Sequence, residues 1–228
     1  KELIINHVKE RECKLNEKVD YKGQISLILL GNSAVGKTNV FQRFRNKKFN
    51  PINTASSGID CTCKLMKIND DKDIYKLSLY DTAGQERYKS LPQSYFRNVD
   101  GVLLLFDLID KTSFDEVNKW MNQIKDFSKE NDRNENDIII YLIGNKSDLV
   151  YEEGRAVKKS DAIEFASKYN LQGYEECSAK NNENIKQTFE KFYNLLYEKN
   201  KNKIKEKNKI KLELMNKKKN EKNKESCC

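Results

Sequence analysis

The sequence predicts an α/β domain on a mainly parallel sheet, with helices on both faces. Three observations predict it. Short apolar runs alternate with helical segments along the chain. Two runs, "GVLLLFDLID" (101–110) and "IIIYLIGNKSD" (138–148), open as unbroken apolar stretches, as strands buried on both faces do. Polar motifs directly follow the apolar runs, at the carboxyl strand ends where open α/β sheets bind ligands.

The elements follow in order. Residues 1–23 are mixed and charged, which fits a loosely held extension. "QISLILLG" (24–31) is a buried strand ending in glycine, and 38–45 reads as a helix. "IDCTCKLMKI" (59–68) and "IYKLSLYD" (74–81) alternate polar and apolar residues around the turn-like "NDDKD", so they form a hairpin. The hairpin supplies one antiparallel strand. Residues 112–129 have helical spacing, with Phe114, Val117, Met121 and Ile124 on one side and Trp120 close by. "NDRNEND" (131–137) is a solvated spacer. Helices at 160–169 and 185–199 flank "YEECSA" (174–179), the sixth and last strand. The boundaries are then an extension at 1–21, a folded domain at 22–199 and a tail at 200–228.

Hydrophobic residues make up 37% and charged residues 34%, which is globular but polar. The net charge of +8 raises the question of nucleic acid, but its location answers it. Residues 199–228 hold 12 Lys and 4 Glu, so the tail carries the whole excess and the body is near neutral. That pattern suits a membrane surface, not a nucleic-acid face. The six cysteines fit no zinc spacing, and reduced thiols are expected. No apolar run approaches transmembrane length. The one histidine, His7, lies in the extension, which argues against a histidine base.

"GNSAVGKT" (31–38) has the spacing of a phosphate-binding loop. Its glycines let several N–H groups face phosphate oxygens, and the next helix adds its positive end. Lys37 reaches the β- and γ-phosphates, and the Thr38 hydroxyl can ligate Mg²⁺. "DTAGQE" (81–86) puts Asp81 at a strand end to hold Mg²⁺, Gly84 to offer an N–H to a γ-phosphate, and Gln85 to orient a water. In "NKSD" (145–148), Asp148 can accept two N–H bonds from guanine that adenine does not offer. Asn145 and Lys146 brace that loop, and the Ala179 N–H of "CSAK" (177–180) faces the guanine oxygen.

These four motifs, in this order, resemble those of small GTPases of the Ras superfamily, most closely its Rab branch. The likeness covers about 22–199 and includes "AGQERYKSLPQSYFR" (83–97), "RAV" (155–157), "FASKY" (165–169) and the ending "CC". It implies the phosphate-loop GTPase fold, a six-stranded mostly parallel sheet with one antiparallel strand. It implies a GTP/GDP site lined by Ser33, Ala34, Val35, Gly36, Lys37, Thr38, Asn39, Phe49, Ser56, Gly84, Asn145, Lys146, Asp148, Leu149, Ser178, Ala179 and Lys180. Mg²⁺ would sit on Thr38, Ser56 and Asp81, and Gln85 would serve hydrolysis. Cys227 and Cys228 would carry two geranylgeranyl groups, since one lipid anchors only marginally. Implied partners are an exchange factor, a GTPase-activating protein, an escort protein or dissociation inhibitor, and effectors, with a monomer on the cytoplasmic face of endomembranes and a cytosolic pool.

Two departures qualify the likeness. The first-switch threonine and following isoleucine are replaced by Ser56 and Ser57, and Asn53 takes the place of an aromatic. Serine keeps a metal-ligating hydroxyl but loses β-branching, so a less firmly ordered first switch is expected. That also opens an alternative reading, a membrane-tethered guanine-nucleotide scaffold that hydrolyses poorly. The aromatic trio that Rabs present to effectors corresponds here to Cys61, Tyr80 and Tyr95, a smaller apolar surface.

Overall fold

A computed structural model of the chain describes residues 8–12, 21–51, 60–68, 74–82, 99–130 and 137–200. Among the described residues seven strands form one sheet: β1 (Val8–Glu12), β2 (Gly23–Gly31), β3 (Asp60–Ile68), β4 (Ile74–Asp81), β5 (Gly101–Asp107), β6 (Ile139–Asn145) and β7 (Gly173–Glu176), in the spatial order β1-β3-β4-β2-β5-β6-β7. The helices are α1 (Lys37–Phe44), α2 (Lys111–Asp115), α3 (Val117–Glu130), α4 (Val150–Glu153) and α5 (Lys159–Lys168), followed by α6 over 185–200.

All six expected strands are present. β2, β4, β5, β6 and β7 are mutually parallel, and β3 alone among the six runs against its neighbour. The extension supplies a seventh strand that its composition did not announce. Val8–Glu12 pairs antiparallel with β3, Val8 opposite Ile68 and Glu12 opposite Lys64. The physical reason is the sheet edge: without β1, β3 would present a row of unpaired backbone groups there. The single helix expected over 112–129 is two helices with a break at Glu116. Asp110 caps the first through Oδ1, which accepts the Thr112 N–H at 2.9 Å.

The alternation within β2 explains the three layers. Leu27 and Leu29 point to one face, where Val40, Phe41 and Phe44 of α1 and Phe189, Phe192 and Leu196 of α6 cover them. Ile28 and Leu30 point to the other, under Val117, Met121 and Ile124 of α3 and Ala162 and Phe165 of α5. Each fully buried leucine or phenylalanine contributes roughly 1.5–3 kcal/mol. These two cores fix the strand register, and the register aligns the carboxyl ends: Leu29 lies beside Asp81, Gly31 beside Leu105, Asp107 beside Asn145 and Gly144 beside Glu176. Among the described residues no helix is long and apolar enough to cross a membrane.

Candidate functional site

The site lies along this row of strand ends. The loop from β2 to α1 turns on two glycines that no other residue replaces. Gly31 has φ +139°, and a Cβ there would lie 2.2 Å from the Leu105 carbonyl oxygen. Gly36 has φ +96°, and a Cβ there would lie 2.3 Å from Asn145 Nδ2. Ala34 adopts a left-handed φ of 66°, which curls the loop further. Gly36 then starts α1 with no side chain capping the helix, so the first-turn N–H groups face the loop. Ser33 and Ala34 are exposed, Val35 is buried, and Thr38 and Asn39 are half-buried in the first turn. Lys37 is 3% exposed, and its Nζ donates to the carbonyls of Gly31 at 2.8 Å and Asn32 at 2.7 Å. Its charge is thereby held along the inside of the loop.

Asn145, at the end of β6, joins three motifs. Its Nδ2 donates to the Val35 carbonyl at 2.8 Å. Its Oδ1 accepts from the Ala179 N–H at 3.2 Å and from the Cys177 thiol at 3.6 Å. The Cys177 thiol is pushed up to about 12, first by burial and then by the charges of Asp148, Glu175 and Glu176, so it stays a protonated donor. One amide thus spans the phosphate loop, "NKSD" and "CSAK". The Ala179 N–H expected for guanine is engaged with Asn145 here, through a long bond that guanine would have to share or displace.

Asp148 keeps 7% of its side chain exposed. Ser178 Oγ donates to Oδ1 at 2.5 Å, and Lys180 Nζ approaches Oδ2 at 3.8 Å. Ser178 Oγ also accepts the Asn181 N–H at 2.9 Å, which fixes its hydroxyl toward the carboxylate. Lys146 has a left-handed φ of 67°, and its Nζ pairs with Asp107 Oδ2 at 2.6 Å. Leu149 is half-buried at the end of the short 3₁₀ turn Ser147–Leu149, and Phe49 is half-buried beyond α1. Asp81 is fully buried at the end of β4, one strand from the loop, and the following Thr82 hydroxyl donates to the Leu29 carbonyl at 2.7 Å.

The described structure therefore brings together the phosphate loop, Asp81, Asn145, Lys146, Asp148, Ser178, Ala179 and Lys180. Ser56, Gly84, Gln85, Tyr95, Cys227, Cys228 and the spacer 131–136 lie outside the described residues. Of the three positions compared with the Rab effector trio, Cys61 and Tyr80 stand opposite each other on β3 and β4. Burial raises the Cys61 thiol above its ordinary value, against the Tyr80 hydrogen bond and the Lys76 charge, so it is a poor thiolate.

Sequence reasoning missed Arg43. From α1 its Nε donates to the Ala179 carbonyl at 2.7 Å and its Nη2 to the Lys180 carbonyl at 2.6 Å. It also missed Asp107, the partner of Lys146, for which an acid at the end of an apolar strand was an available signal.

The Ras family model matches residues 26–198. The chain is 35% identical over 184 residues to the human "Ras-related protein Rab-3A", covering 81% of this chain and 78% of that protein. It is 32% identical over 179 residues to "Ras-related protein Rab-11B" of Dictyostelium discoideum, covering 78% and 76%. It is 34% identical over 167 residues to "Ras-related protein Rab-18" of Lymnaea stagnalis, covering 73% and 77%.

Proposed function

The chain belongs to the Ras family of small GTPases, in its Rab branch, and from that premise we propose a guanine-nucleotide switch that cycles between GDP and GTP. In the GTP state it recruits effectors to membranes in vesicle trafficking, and slow hydrolysis to GDP and phosphate releases them.

The observation that best supports this reading is the Asn145 bridge beside the buried Asp148 carboxylate. The bridge fixes the distance between the loop that would take phosphates and the acid that would take the base. Asp148 accepts the two N–H groups of guanine, while Lys146 and Phe49 flank the base. The N–H groups of residues 33–39 and the Lys37 ammonium hold the phosphates.

The residues present also fit Mg²⁺. The half-buried Thr38 hydroxyl in the first turn of α1 and the buried Asp81 carboxylate at the end of β4 are hard oxygen donors, and Ser56 would add a third. Bound there, the ion would neutralise phosphate charge. Gln85 orients the attacking water. Among the described residues Arg43 is engaged at the Ala179 and Lys180 carbonyls and Arg155 at Glu176, so neither serves as an arginine finger; slow turnover that depends on a GTPase-activating protein is the expectation.

Loss of the γ-phosphate releases the contacts that order the switches. With Ser56 and Ser57 in the first switch, that order is less firm than with the usual threonine and isoleucine. The lysine-rich tail and the lipidated Cys227 and Cys228 hold the protein at an anionic membrane surface, each nearby lysine adding about 1 kcal/mol. The test is phosphate release from GTP-loaded protein. Slow release, slower still in Gln85→Leu, supports the reading; equal rates for the two proteins would remove Gln85 from the mechanism.

A further inference from the structure

Asn32 is the second residue of the phosphate loop, and its two halves face different ways. Its backbone carbonyl accepts Lys37 Nζ at 2.7 Å. Its side chain leaves the loop and reaches helix α3 and the break before it. Oδ1 accepts the Trp120 indole N–H at 2.9 Å, and Nδ2 donates to Glu116 Oε2 at 2.5 Å.

Both ends of the amide are used, so its orientation is determined. Trp120, the only tryptophan of the chain, lies on α3, is 9% exposed and packs in the core that α3 and α5 share. Glu116 stands at the break between α2 and α3 and is also paired with Lys119 at 2.5 Å. The Lys119 hydrogen bond, and then that of Asn32, hold its carboxyl below the usual glutamate range. It is therefore charged near neutrality and remains an acceptor for Asn32.

We propose that Asn32 is a positioning residue that locks the phosphate loop to the α2–α3 junction and so sets how long a guanine nucleotide stays bound. The loop holds phosphates well only while its N–H groups are kept in place before the ligand arrives. Asn32 sits where the loop leaves β2, and its carbonyl also steers Lys37. Releasing its side chain lets the loop and the Lys37 contact move together. The inference rests on the nucleotide-binding reading above.

The experiment follows dissociation of a fluorescently labelled GDP from the full chain, with melting temperature measured in parallel. Trp120→Phe keeps the ring but removes the donor, and dissociation is expected to be roughly two- to tenfold faster, the effect of one neutral hydrogen bond. Asn32→Asp keeps the indole acceptor but sets a second carboxylate against Glu116, and at least about tenfold faster release is expected. In Asn32→Asp/Glu116→Gln the donor and acceptor are exchanged, because the glutamine amide donates to the new aspartate. Release should return to within about threefold of the parent.

The proposal is overturned if Trp120→Phe releases GDP at the parent rate. It is also overturned if the double variant melts like the parent yet releases GDP as fast as Asn32→Asp. If Asn32→Asp does not fold, Trp120→Phe decides alone. Failure of the parent chain to bind labelled GDP would instead reject the nucleotide-binding reading itself.

Discussion

Gly36→Ala tests the junction between the phosphate loop and the base loop. The new Cβ would stand 2.3 Å from Asn145 Nδ2, closer than real contacts allow, and at a φ of +96°. The backbone term costs roughly 1–2 kcal/mol for an L-residue held left-handed. To relieve the clash, the Asn145 amide must swing away. That abandons its 2.8 Å bond to Val35 and its 3.2 Å bond from Ala179. Leaving such a buried group unsatisfied costs roughly 1–3 kcal/mol. The sum is about 2–5 kcal/mol, a roughly 30-fold to few-thousandfold loss of GDP affinity if it falls on binding.

The assay is a double-mutant cycle with Asn145→Ala, read by GDP affinity. With the amide already gone, Gly36→Ala should cost only its backbone term. The two effects should therefore fall short of additivity by at least about 1 kcal/mol. Strict additivity would refute the reasoning, because it would mean that the clash does not act through Asn145.

Two further predictions concern the rim. Arg43→Ala should loosen the Ala179–Lys180 turn by removing two charge-assisted bonds; roughly tenfold weaker GDP binding is expected, with equal affinity excluding the role. Glu176 is raised by burial, but Arg155 and Tyr174 outweigh this, so its carboxyl lies below the ordinary value of 4.5. A group lowered on folding stabilises above its unfolded value. Its contribution, about 1 kcal/mol or less for a partly exposed pair, should fade as pH drops from about 4.5 through the folded value. Thermal melts from pH 7 to pH 3 should show a smaller acid-side decline in Arg155→Met; parallel curves would contradict this.

The apolar alternation of β2 and the unbroken runs of β5 and β6 were legible because burial on one or two faces writes directly into residue type. The glycine loop, Asp81, Asn145 and Asp148 were legible because their chemistry constrains spacing within a few residues. β1 was not. Its pairing with β3 uses backbone groups, and "VKERE" has no strand alternation. Arg43 and Asn32 were missed for another reason. Their partners lie 136 and 88 residues away, at Ala179 and Trp120, and only the assembled sheet brings them together. The break at Glu116 likewise leaves the helical spacing of the apolar residues intact, so periodicity did not reveal it.

We propose that Asp148 makes this a guanine site. The most direct measurement is competition against labelled GDP by GDP, ADP and xanthosine diphosphate, for the parent chain and Asp148→Asn. Guanine presents two donors to the carboxylate, whereas xanthine replaces one with a carbonyl that an asparagine amide can meet. The parent should prefer GDP over ADP by at least about 100-fold, as a site with a buried polar group left unmatched does. Asp148→Asn should lose GDP affinity and gain affinity for xanthosine diphosphate. Equal competition by ADP and GDP in the parent, or an unchanged preference in the variant, would contradict the account.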